Sequence, residues 1–211
     1  RGRKLNVEAA NSGPVVVDAE RLRGLAAAIL EAAGFRPDDA TLVAEVLVEA
    51  DLRGVDSHGV TRLAGYVSMI DSDLLNPRPD VKLLRESGST VLIDGDRGIG
   101  IIAARQAIDR VIELSGETGI ACASVRNISH TGMIGWYTMR AAEAGRVGIA
   151  MNNGPSMVPP FGGRAPLTAT NPISIAAPAE PGNPLVLDMA TTMVAAGKLR
   201  LATKTLDSIP D

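Results

Sequence analysis

Two histidines are the only imidazoles in this 211-residue chain, and both sit where chemistry is easily staged. His58 lies in Asp56-Ser57-His58-Gly59, and His130 lies in Ser129-His130-Thr131-Gly132. Each follows a serine and precedes a turn-forming residue. An imidazole titrates near ~6.5, so at such a corner it can take or give a proton at neutral pH. Arg62 and Tyr66 stand one helical turn apart just after His58, so a histidine, a guanidinium fork and a phenol are expected around one concavity. A planar carboxylate is the usual partner of such a fork. Asp188 ends an apolar run, Leu185–Asp188, a place that suits a ligand-facing carboxylate and equally a helix cap.

The elements that must position these groups follow from apolar spacing and breakers. Ile120–Val125 reads as a buried strand and Met133–Ala144 as a helix, which puts His130 at a strand-to-helix corner. Upstream, Asp18 caps a helix over Ala19–Ala33 with Leu22, Leu25, Ala26, Ile29 and Leu30 inward, ended by Gly34. Pro37-Asp38-Asp39 opens a second helix to about Arg53, carrying Leu42, Val43, Val46 and Leu47 inward. A third helical segment is expected over Val60–Ile70. Thr90–Asp94 reads as a strand, and a helix follows Gly95-Asp96-Arg97-Gly98-Ile99-Gly100 to about Leu114. These glycines run G-x-x-G-x-G, the wrong order for a dinucleotide fingerprint, and their expected role is helix start and close packing. Further strands are expected over Val147–Asn152, Ile173–Ala177 and Leu185–Asp188, with a helix to about Leu201; residues 1–16 read as an arm.

Composition narrows the functions. The chain is 45% hydrophobic and 21% charged, as an ordinary globular protein is, with a net charge of −3 and five aromatic Trp, Tyr and Phe residues. That argues against a nucleic-acid surface. No apolar run reaches the ~18 residues that span a membrane, and no metal-ligand spacing is present. Cys122, the sole cysteine, is expected as a small buried hydrophobe in a reducing, cytoplasmic setting. Neither serine beside a histidine lies in a G-x-S-x-G elbow, so a serine hydrolase is a weak reading.

Five motifs in order carry a resemblance: Asp56-Ser57-His58-Gly59-Val60-Thr61-Arg62 with Tyr66; Val125-Arg126-Asn127-Ile128-Ser129-His130-Thr131-Gly132; Pro160-Phe161-Gly162-Gly163; Thr170-Asn171-Pro172; and Leu187-Asp188-Met189-Ala190-Thr191-Thr192. Together they resemble the type-2 malate/L-lactate dehydrogenase family, which includes ureidoglycolate and sulfolactate dehydrogenases and a cyclic 2-imino acid reductase. The resemblance implies an α+β fold, with a helical substrate and dimerisation region at 16–115 and a cofactor domain at 116–211. The latter is implied to be a largely antiparallel sheet with helices, not the classical doubly wound fold. It also implies a homodimer and hydride transfer between NAD or NADP and a small 2-hydroxy acid or its 2-oxo form, with cyclic 2-imino acid reduction or a silent assembly domain as alternatives. Carried over by position, His130 is implied as proton acceptor, with Ser57 and His58 in a relay. Arg62 and Tyr66 are implied in the substrate pocket, and Gly154, Asp188, Met189 and Ala190 at the cofactor. The chain starts at Arg1 without Met and stops after Ser208-Ile209-Pro210-Asp211, which reads as a fragment; residues 1–211 alone are expected to be a poor enzyme.

Overall fold

A computed structural model describes residues 16–180 and 182–192. The expected arm at the start and the expected helix after Asp188 fall mainly outside those residues. The opening helical pair forms for the reasons its sequence suggests. Helix α1 (Ala19–Ala32) starts on Asp18, whose carboxylate accepts the Arg21 N–H at 2.9 Å. The chain leaves it through Gly34, at a φ of +104° that a side chain would strain. Helix α2 (Pro37–Leu52) places Pro37 in its first turn, followed by Asp38 and Asp39. Val43, Val46 and Leu47 are buried as expected. On α1 only Ala26 and Leu30 are, while Leu25 and Ile29 face outward. The contact with α2 runs through Ala26 and Leu30, and among the described residues the outer half of the apolar stripe stays exposed.

The segment expected as one helix over Val60–Ile70 divides. Two single-turn 3₁₀ pieces, Asp56–His58 and Val60–Arg62, precede helix α3 (Leu63–Asp71). Asp51 at the end of α2 causes the sharp path, because its carboxylate accepts the Val60 N–H at 2.9 Å. A Cβ on Gly59 would lie 1.7 Å from that carboxylate, so only glycine fits between the two pieces.

Strand β1 (Lys82–Ser87) was not foreseen, because every residue in it is exposed and no alternation marks it. It pairs antiparallel with β2 (Thr90–Gly98), which runs beyond the expected Asp94. Helix α4 (Gly100–Thr118) returns the chain to β3 (Cys122–Ile128), parallel to β2. The three-stranded sheet therefore draws on both sides of residue 115. The glycine-rich turn packs closely: a Cβ on Gly95 would meet Ile128 at 2.2 Å, and one on Gly100 the Ser129 carbonyl at 2.7 Å. Cys122 is exposed, a correction to its expected burial, because β3 shows its Cys122 side to solvent.

Helix α5 (Gly135–Glu143) is nearly all buried and packs on a second sheet. In it β4 (Gly148–Met151), β5 (Ile173–Glu180) and β6 (Asn183–Met189) pair antiparallel. The Thr138 and Ser174 hydroxyls meet at 2.7 Å in that interface, and the Ser174 hydroxyl donates to the Leu187 carbonyl at 2.8 Å. Buried polar atoms are thereby partnered without water. The main core joins α1, α2, α3, the start of α4 and α5, through Leu30, Leu47, Tyr66, Ile101, Met133 and Trp136 among others. The chain is thus a mixture of helices and two small sheets, as expected of an α+β protein. Among the described residues no helix is long and apolar enough to cross a membrane.

Candidate functional site

The two histidine corners, 72 positions apart in sequence, meet in the fold. Their rings stack with centroids 5.3 Å apart at 27°. His58 is set by the first 3₁₀ turn, and its Nδ1 lies 2.9 Å from the Ser57 hydroxyl. His130 leaves the end of β3, where the Gly100 N–H donates to its carbonyl at 3.0 Å and Ser129 is bonded to the Gly98 carbonyl. Tyr66, projecting from α3, brings its hydroxyl to 2.7 Å from His130 Nδ1. Arg62 at the start of α3 donates through Nε to the Ser57 carbonyl at 2.6 Å. Five of the residues singled out from sequence therefore form one cluster.

Both histidines are held neutral. Burial, then the nearby Arg62 cation, lowers His58 to about 4; burial, then Arg62 and His58, lowers His130 to about 3. Tyr66 shifts up, because burial disfavours its anion more than Arg62 favours it. The sign of the stability effect follows: the unfolded chain binds protons near ~6.5 while the folded chain resists them. The histidine contribution is therefore complete above ~6.5 and is lost as pH falls toward 4 and 3. About 1 kcal/mol per histidine is expected to go by pH ~5.5. Urea midpoints at the two pH values should show that loss, and His58→Gln should shrink it; equal midpoints would contradict the burial of these rings.

A cleft of about 740 Å³ opens beside the cluster. Ser57 and His58 line one side, Gly132–Gly135 and Met139 the floor, and Thr170, Pro172, Val186, Asp188, Met189, Ala190 and Thr192 the other side. Three of the expected cofactor contacts thus share a cleft with Ser57 and His58. Gly154 does not line it; a Cβ there would sit 3.2 Å from Ala169, the chain neighbour of Thr170. Arg62, Tyr66 and His130 are not among the lining residues, and Tyr66 is 3% exposed, with its hydroxyl turned to His130.

Two lining residues escaped the sequence reading. Gly135 gives its N–H to Asp188 at 2.7 Å, and a Cβ there would meet the same carboxylate oxygen at 2.7 Å. Asp188 therefore caps α5, a helix 53 positions earlier in the chain. Partial burial raises its carboxyl pKa, and the Gly135 N–H opposes that. Arg53, at the end of α2, also lines the cleft and pairs with Glu49 at 2.7 Å. Only its position at a helix terminus, where the carbonyls favour a cation, was available as a signal.

The cleft suits a flat, amphipathic ring. Met133, Ile134, Met139, Val186 and Met189 supply apolar walls, and Asp188 and Thr192 add polar atoms. Among the described residues no cluster of His, Cys, Asp and Glu could hold a metal ion.

A family model for malate/L-lactate dehydrogenase matches residues 17–211. The malate dehydrogenase of Pyrococcus abyssi is 43% identical over 183 residues, which cover 87% of this chain and 50% of that protein. The ureidoglycolate dehydrogenase (NAD(+)) of Escherichia coli O157:H7 is 37% identical over 179 residues, covering 85% of this chain and 51% of its own length. The structure of malate dehydrogenase from Pyrococcus horikoshii superposes with a TM-score of 0.85 at 42% identity, over 88% of this chain and 53% of that one. The chain spans about half the length of the curated relatives it matches.

Proposed function

Because the chain belongs to the malate/L-lactate dehydrogenase family, we propose that it carries the site of hydride transfer between a nicotinamide dinucleotide and a small 2-hydroxy acid or its 2-oxo counterpart. One observation carries the reading: Ser57 and His58 line the same cleft as Asp188, Met189 and Ala190, and the His58 ring stacks on His130, to which Tyr66 is bonded. The nicotinamide supplies the hydride chemistry. The protein's work is to hold the acid, manage one proton and keep water away.

In this reading Arg62 holds the substrate carboxylate, and His130 exchanges the proton of the 2-oxygen, with Ser57 and His58 as the hydrogen-bonded relay on the cleft side. A carboxylate beside Arg62 cancels the positive field that depresses both histidines, so the bound substrate raises the basicity of the group that must take its proton. Asp188, Met189 and Ala190 are the proposed cofactor contacts. Gly154 keeps a place only through its neighbour Ala169, next to Thr170 on the cleft wall. The cofactor region is proposed as the antiparallel β4–β5–β6 sheet with α5, in place of a doubly wound parallel sheet. A homodimer is proposed as well, supported by the exposed pair Leu25 and Ile29 on α1, and a cytoplasmic setting, supported by the free thiol of Cys122.

Trp136 provides the test. It is the sole tryptophan, is buried in α5, and follows directly on the cleft residue Gly135. Titration with NADH and with NADPH should change its emission saturably, and the tighter of the two identifies the cofactor. A linear, non-saturating response with both would remove the cleft from this reading.

A further inference from the structure

We propose that Tyr66 is a positioning residue for His130, holding Nδ1 as a hydrogen-bond acceptor and so leaving the proton on Nε2. The inference rests on the hydride-transfer reading for its purpose and on hydrogen-bond geometry alone for its content.

Two groups converge on Nδ1: the Tyr66 hydroxyl at 2.7 Å and the Gly132 backbone N–H at 3.3 Å. A phenol can donate or accept, so the first contact leaves the tautomer open. A backbone N–H can only donate. The Gly132 contact therefore makes Nδ1 an acceptor, and the phenol must then donate as well. A neutral imidazole carries one proton, which has to be on Nε2. The doubly protonated ring would set an N–H against the Gly132 N–H, beside the Arg62 cation and stacked on His58. Gly132 reaches this position through a φ of +69°, so the turn that follows His130 is shaped to aim the amide back at the ring.

This separates Tyr66 from the substrate-pocket role that sequence suggests for it. Its hydroxyl is spent on His130, and its ring lies in the main core. The Nε2–H form donates a hydrogen bond, which suits the carbonyl oxygen of a 2-oxo acid. A phenylalanine ring would leave Nδ1 with the Gly132 N–H alone, whereas a purely structural Tyr66 would matter only to packing.

The presence of just two histidines makes the tautomer directly readable by ¹⁵N multiple-bond NMR of the imidazoles, with His58→Gln assigning the pair. The expected spectrum of the unsubstituted chain at neutral pH shows His130 with Nε2 protonated and Nδ1 bare. Tyr66→Phe should move the Nδ1 resonance downfield, toward that of an unbonded pyridine-type nitrogen, and leave His58 in place. A protonated Nδ1 in the unsubstituted chain overturns the proposal even if the variant fails to fold; an Nδ1 resonance unmoved by Tyr66→Phe overturns the positioning role. Neither measurement needs cofactor or turnover, so failure here is distinct from failure of the dehydrogenase reading. In a polypeptide that turns over, Tyr66→Phe should lower kcat about tenfold or more with dinucleotide affinity kept, and an unchanged kcat would also overturn it.

Discussion

His130→Asn is expected to lower turnover by ~10²–10⁴-fold, the range that a positioned acid–base group contributes, while dinucleotide affinity stays within a few-fold. Asparagine is the informative replacement. Its Oδ1 falls near the position of Nδ1 and can accept from the Tyr66 hydroxyl and the Gly132 N–H, so the buried phenol keeps a partner. What is lost is Nε2, and with it the proton. Cofactor affinity should survive, because His130 is not among the residues that line the cleft. The assay belongs in the shortest polypeptide containing this chain that turns over. Near-normal kcat in the variant would transfer the proton role to His58, which does line the cleft.

The parts of this site legible in the sequence were those set by local chain chemistry. Asp18, Gly34 and Pro37 bound their helices because caps and fixed φ values act over a few residues. The serine–histidine–turn pattern marked both corners for the same reason. The close packing of the glycine-rich turn was also readable: a Cβ on Gly95 would meet Ile128 and one on Gly100 the Ser129 carbonyl.

What was hidden depends on partners distant in sequence. Tyr66 and His130 are 64 positions apart, so helical spacing could place Tyr66 on a face with Arg62 but could not show that its hydroxyl ends on an imidazole. Asp188 was read as a cap or a ligand group; it caps α5, which only the pairing of β4, β5 and β6 brings within reach. Leu25 and Ile29 obey helical periodicity and still face outward, because periodicity defines a stripe and the width of the neighbouring element decides how much of it is covered. Strand β1 follows the same logic from the other side: hydrogen bonding to β2 makes it a strand, and exposure on both faces erases its pattern.

Arg62→Lys is expected to raise the KM for the hydroxy acid by ~10–100-fold, with a smaller effect on kcat, since losing a charge-assisted bidentate contact costs about 1.5–3 kcal/mol. The geometry makes the guanidinium itself matter. Its Nε is committed to the Ser57 carbonyl at 2.6 Å, which fixes the plane of the fork beside both histidines. A lysine keeps the charge but has no Nε to anchor and no second donor in that plane. It therefore preserves the field that depresses the two imidazoles and removes the orientation of the clamp, so the pH dependence should stay while KM rises. Arg53 is the rival, because it lines the cleft and Arg62 does not. Arg53 is half-exposed and already paired with Glu49, so its net worth to an anion is reduced by water and by its partner. Arg53→Lys should leave KM within about threefold. The opposite outcome, a large KM change at Arg53 with little at Arg62, would move the carboxylate to the open side of the cleft and leave Arg62 with the lesser part, after burial, in keeping His58 and His130 neutral.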